Sequence, residues 1–151
     1  MKHKTISILF IFLSSLVGSL HAAEQENEKT NLAIQGAWIA EAPPVSKVMV
    51  AYMTLKNTGE NAIEVIRADS ESYSSIEFHE TVHEDDMARM IRHNSLMIPA
   101  NGKLELKRGG PHLMLFNPVK AFKAGDTIEI NLTTKDNKNM PITVTVKKPQ
   151  F

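Results

Sequence analysis

The chain has 151 residues, in which 17 Lys and Arg balance 17 Asp and Glu, and it contains no cysteine. A neutral balance argues against a nucleic-acid or anionic-membrane partner. The missing cysteines exclude a disulfide framework, a thiolate metal site and a lipid carried on a thiol, so a hydrophobic core must hold the fold unaided.

At the N-terminus, Lys2 and Lys4 precede an apolar run from Thr5 to Leu20, and Ala22 and Ala23 stand before the polar stretch EQENEKTN. This is the pattern of a cleaved secretory signal, with a retained anchor as the alternative. The run is short for a membrane span, which needs ~20 apolar residues. Removing residues 1–22 leaves 129 residues with 15 basic and 17 acidic side chains, enough for one domain. The expected organisation is a signal peptide over 1–22, a flexible segment over 23–33 and one β-sandwich domain over 34–151.

Short β-type runs then follow one another with turns between them. Ile34 to Ala40 carries the only Trp, Trp38, and ends before Pro43-Pro44. Val48 to Lys56 is apolar on both parities, as a central strand is, with Met49 and Met53 as core residues. Trp38 and Tyr52 read as core aromatics. Ala62 to Ala68 and Ser75 to His79 are further strands, followed by a charged segment from His79 to Arg92 with a turn at Glu84-Asp85-Asp86. Leu96 to Pro99, Lys103 to Lys107, His112 to Phe116, Thr127 to Thr133 and Ile142 to Val146 complete the set. Short strands with regular turns and no long 3.6-residue period predict an all-β sandwich.

On the strand after Gly109-Gly110-Pro111, His112 and Met114 are two residues apart, on one face and roughly 7 Å apart at Cα. Leu113 and Leu115 take the opposite, core face. By the same parity Ile76 and Phe78 point inward, while Glu77 and His79 point outward. With Met90, these make a candidate metal set: His79, Met90, His112 and Met114. Two imidazoles and two thioethers are soft neutral donors that suit Cu(I) rather than Mg²⁺, Ca²⁺ or Mn²⁺. The alternative for Met90 is that it and Met87 pack a loop against the sheet, since Met commonly fills gaps. His83 stands near the set as an auxiliary ligand, and His93 reads as a solvated loop residue.

A second pattern overlaps the first. His79-Glu80-Thr81-Val82-His83 matches H-E-x-x-H, whose zinc chemistry needs a helix to bring both His to one face. The alternation of SSIEF before it and the acidic turn after it favour a strand instead. A blue-copper electron carrier needs a Cys thiolate, which the chain lacks.

The segments FHETVHEDDMARM, KLELKRGGPHLMLF and KAGDTIEINLTT resemble the periplasmic PCuAC-type copper chaperones. The hallmark of that family, H-x10-M-x21-H-x-M, is met by His79, Met90, His112 and Met114 without gaps. The resemblance implies a cupredoxin-like (immunoglobulin-like) β-sandwich binding one Cu(I) per chain near its surface. It also implies a periplasmic protein that supplies copper for cytochrome c oxidase assembly. The lack of a triad, phosphate loop or paired acid–base constellation favours trafficking over catalysis, so no enzymatic activity is expected, and a monomer is the expected state. Cytochrome c oxidase subunit II and a Sco-type thiol chaperone are the implied partners. Many relatives carry Met where this chain has His83, and many end in a His- and Met-rich tail where this chain ends VKKPQF, so no second copper site is expected there. Two other readings stand beside this one: a metal-free exported β-sandwich that binds a protein partner, and the zinc hydrolase.

Overall fold

The computed structural model describes residues 30–85 and 87–149. The expected signal peptide, 1–22, lies outside them, as do 23–29 of the segment read as flexible. Among the described residues the chain forms ten strands and no helix. They are β1 (Leu32–Ala40), β2 (Val48–Asn57), β3 (Ile63–Asp69), β4 (Tyr73–Glu84) and β5 (Met87–His93), then β6 (Leu96–Ile98), β7 (Lys103–Leu106), β8 (Pro111–Pro118), β9 (Thr127–Thr134) and β10 (Asn139–Lys147). Leu32 and Ala33, expected in the flexible segment, belong to β1, and Leu32 is buried in the core.

The hydrogen-bonded order is β5-β4-β8-β2-β1-β10-β9-β3-β6, with β7 pairing separately with β2. The path is open, so β5 and β6 are its edges. The result is the expected all-β, cupredoxin-like sandwich. β2 takes the central place read from its two apolar faces: it pairs with β1 on one side, and with β8 and β7 on the other. Met49 and Met53 are each 3% exposed, as core residues are.

Alternation sets the core. Leu113 and Leu115 on β8 oppose Phe78 and Ile76 on β4, and Ala51 and Met49 on β2. Ile128, Ile130 and Leu132 on β9, with Val144 and Val146 on β10, supply further core side chains. Each fully buried aliphatic side chain stabilises the fold by about 1.5–3 kcal/mol relative to exposure.

Trp38 and Tyr52 correct the expectation of core aromatics. Both are half-buried, stacked on each other with ring centroids 5.0 Å apart and planes tilted by 41°. Tyr52 follows the alternation of β2, in which Met49, Ala51 and Met53 are the buried set, and for Trp38 the cause is a β-bulge between Gln35 and Trp38, where Gly36 adopts φ +61°. Leu32 and Ile34 start β1 with even-numbered residues toward the core. The extra residue reverses that parity, so Ile39 is fully buried and Trp38 turns outward.

The segment from His79 to Arg92 is a strand hairpin. β4 continues through His79 to Glu84, turns at Asp85 with φ +49°, and returns as β5. His93 therefore ends an edge strand; its Nε2 lies 2.8 Å from Glu80 Oε2, and it is half-buried rather than a solvated loop residue.

Candidate metal centre

Strand register brings the four predicted donors to one face of three neighbouring strands. On β4 and β8, His79 opposes His112 and Glu77 opposes Met114. On β4 and β5, Thr81 opposes Met90 and His79 opposes Arg92. Directly opposed residues share a face, and so do residues two apart on one strand. His79, His112, Met114 and Met90 therefore all project from the face opposite Leu113, Leu115 and Phe78. Around the His79–His112 pair, Met114 is offset along the sheet toward Glu77 and Met90 toward Thr81, so the two thioethers flank the rings from opposite sides.

The two rings sit with centroids 6.3 Å apart and planes tilted by 30°. An ion about 2 Å from one nitrogen of each ring needs a separation of this order. Each ring already uses its other nitrogen. His112 Nδ1–H donates to the Gly110 carbonyl at 2.9 Å, leaving the Nε2 lone pair unused by that bond. His79 Nε2 lies 2.9 Å from Glu77 Oε2, and the Arg92 guanidinium reaches the other Glu77 oxygen at 3.3 Å. His79 Nδ1 is buried and has no hydrogen-bond partner. A buried polar atom left unpaired costs about 1–3 kcal/mol, and an imidazole nitrogen is a metal donor, so this atom fits a site for an ion.

Burial grades across the site. His112 is 4% exposed, His79 and Met114 are half-buried, and Met90 on the edge strand is 51% exposed. Phe116 lies beside His79, with centroids 6.4 Å apart, and adds an apolar wall. A shallow cleft lined by Val50, Tyr52, Thr81, Met90, Arg108 and His112 opens on the Met90 side. Among the described residues, no three His, Asp, Glu or Cys side chains gather as a metal group.

The H-E-x-x-H pattern lies wholly on β4. On a strand, His79 and His83 stand about 13 Å apart along the backbone, and Glu80 belongs to the opposite face, where it meets His93. That geometry removes the zinc hydrolase. His83 is exposed and opposes Ala88, farther along the hairpin than the Thr81–Met90 pair. Sequence reasoning did not reach Arg92 or the Gly110 carbonyl as supports. Parity had turned Glu77 to the same side as His79, and that was the available signal for its role.

A family model described as "Putative lipoprotein LpqE-like" matches residues 32–146, from the first residue of β1 into the end of β10. The "Putative lipoprotein Lxx21020" of Leifsonia xyli is 31% identical over 146 residues, covering 95% of this chain and 87% of the relative. The Cu(I) form of DR1885 from Deinococcus radiodurans is 34% identical, with a TM-score of 0.66, covering 84% of this chain and 85% of that one. A copper-bound PCuAC domain from PmoF2 has the same fold at 19% identity, with a TM-score of 0.66, over 79% of this chain and 94% of the domain. Because the family model runs through all ten strands, the chain belongs to the LpqE-like family and has the fold of PCuAC domains.

Proposed function

We propose that this protein is an exported copper metallochaperone, in which His79, Met90, His112 and Met114 hold one Cu(I) ion and release it to an acceptor. The observation that carries this reading is the placement of all four soft donors on one sheet face around a buried, unpartnered His79 Nδ1. The Cu(I)-loaded relative at 34% identity supports it. A metal-free protein-binding module accounts for the fold but leaves that nitrogen without purpose.

The donor set suits work outside a reducing compartment. Thioethers carry no proton to lose and form no disulfide, so the site needs no reducing partner to stay competent. All four donors are neutral, and the cargo keeps its positive charge, which is costly to bury fully. The graded burial meets that constraint: His112 anchors the ion from within the sheet, while Met90 faces solvent. An acceptor approaching the edge strand replaces Met90 first and the buried imidazole last. Release is thus a stepwise ligand exchange at one open side, with no chemical step on the protein. The periplasm is the compartment proposed, the protein acts as a monomer without enzymatic activity, and the copper site of cytochrome c oxidase subunit II is the acceptor, with a Sco-type thiol chaperone as co-worker.

The test is an anaerobic Cu(I) titration against a competing chelator, on wild type and on the Met90→Ala, Met114→Ala double variant. Tight one-to-one binding that the double variant loses supports the reading. Equal, weak binding by both proteins removes it.

A further inference from the structure

The hydrogen bonds around the two rings carry a finer conclusion, which rests on the copper reading. We infer that Glu77 is a positioning residue that fixes His79 in its Nε2–H form, so that His79 binds the ion through Nδ1 while His112 binds through Nε2.

A neutral imidazole has one N–H and one lone pair, and the partner of the N–H decides which nitrogen is free to ligate. Carboxylate Oε2 of Glu77 accepts only, so the nitrogen facing it at 2.9 Å carries the proton. The Gly110 carbonyl likewise only accepts, so His112 carries its proton on Nδ1. The lone pairs are then His79 Nδ1 and His112 Nε2, on chemically different ring positions. Burial agrees: the nitrogen left over on His79 is the one buried side-chain polar atom without a partner among the described residues.

Glu77 is itself held. Its second oxygen meets Arg92 Nη1 at 3.3 Å, and Arg92 is the cross-strand partner of His79 on β5. The carboxylate is therefore tied on both sides, and its charge lies against the imidazole that receives a cation. Carboxylate partners of this kind orient ligand histidines and raise their basicity, and losing one typically costs 10–100-fold in metal affinity. The Glu80–His93 pair offers an internal contrast. It has the same chemistry at 2.8 Å, on the same hairpin but on the opposite face.

The experiment is ¹⁵N NMR of the histidine rings in the full mature chain, before and after Cu(I) addition, alongside chelator competition on Glu77→Ala, Glu77→Gln and Glu80→Ala. Wild type without copper should show His79 as the Nε2–H form and His112 as the Nδ1–H form. Copper should shift Nδ1 of His79 and Nε2 of His112. Glu77→Ala should mix the two forms of His79 and weaken binding about 10-fold or more. Glu77→Gln, whose amide oxygen can accept the same bond, should keep the Nε2–H form and recover part of the affinity. Glu80→Ala should bind as wild type does. A copper shift on Nε2 of His79, or unchanged tautomer and affinity in Glu77→Ala, overturns the assignment while sparing the copper reading. Absence of any copper shift on either ring overturns both. The wild-type spectra decide the donor atoms even if Glu77→Ala fails to fold.

Discussion

His79 and His112 oppose each other across the β4–β8 ladder, and each has one ring nitrogen engaged by a group two residues earlier in the chain: the Glu77 carboxylate on β4 and the Gly110 carbonyl just before β8. The symmetry of this arrangement is only apparent. One support is a charged side chain near the sheet surface. The other is a backbone atom that also accepts the Thr81 N–H at 3.2 Å, so it ties β8 to β4 whether or not the imidazole is present.

That asymmetry separates stability from binding. His112 is 4% exposed, so His112→Ala opens a void under the outer face and should cost the metal-free protein about 2 kcal/mol or more. Met90 is 51% exposed on an edge strand, and Met90→Ala should change stability by no more than about 0.5 kcal/mol. Both variants should lose tight Cu(I) binding. Urea denaturation paired with chelator competition reads the two effects separately. Equal destabilisation by both substitutions would show that Met90 is a packing residue.

How far the site could be read from the chain depends on which face each strand shows to the core. β8 alternates between two fully buried leucines and two candidate donors, so the face that His112 and Met114 take was legible from parity alone. Glu77 and His79 were legible for the same reason. β5 was not, because an edge strand with mostly exposed side chains carries little apolar alternation. Its existence rests on backbone pairing with β4 from Phe78 to Glu84, which leaves no trace in hydrophobicity. Trp38, read as core for being aromatic, faces outward for another reason: the extra residue at Gly36 inverts the alternation that Leu32 and Ile34 begin.

The bulge itself can be tested. Nothing lies within 4 Å of a Cβ placed on Gly36, so Gly36→Ala meets no steric obstacle, and its cost is purely that of φ +61°. The expected loss is about 1–2 kcal/mol, measurable by chemical denaturation. Leu115→Ala, at a fully buried position, should cost more, about 2–5 kcal/mol. A neutral Gly36→Ala would mean that β1 pairs with β2 without the left-handed residue.

Alkaline stability should depend on Tyr73. Its hydroxyl contacts Met49 Sδ at 3.3 Å inside the core, and burial pushes the phenol up to about 12 from an ordinary 10. Between these values the unfolded chain has lost the proton and the native chain retains it. Stability from this group is therefore fully present below pH 10 and is lost as pH rises toward 12. Tyr73→Phe should flatten that decline in denaturation midpoints measured from pH 9 to 12. An unchanged slope would assign the alkaline loss to other groups.

Methionine oxidation offers a test of ligation that uses the chain as its own control. Met87, Met97 and Met90 are 69%, 54% and 51% exposed, whereas Met49 and Met53 are 3% exposed. Dilute peroxide should therefore convert the first three to sulfoxide and spare the last two. A soft d¹⁰ ion that does not cycle with peroxide, Ag(I), can stand in for Cu(I). Coordination uses the sulfur lone pair that the oxidant attacks, so one equivalent of Ag(I) should protect Met90 while Met87 and Met97 react as before. Peptide mass spectrometry follows each site separately. Prior oxidation of Met90 should in turn weaken Cu(I) binding, because a sulfoxide replaces a soft thioether donor with a polar oxygen group. If Met90 reacts as fast as Met87 with the ion bound, the exposed thioether is not a ligand, and the open side of the site is closed by something else.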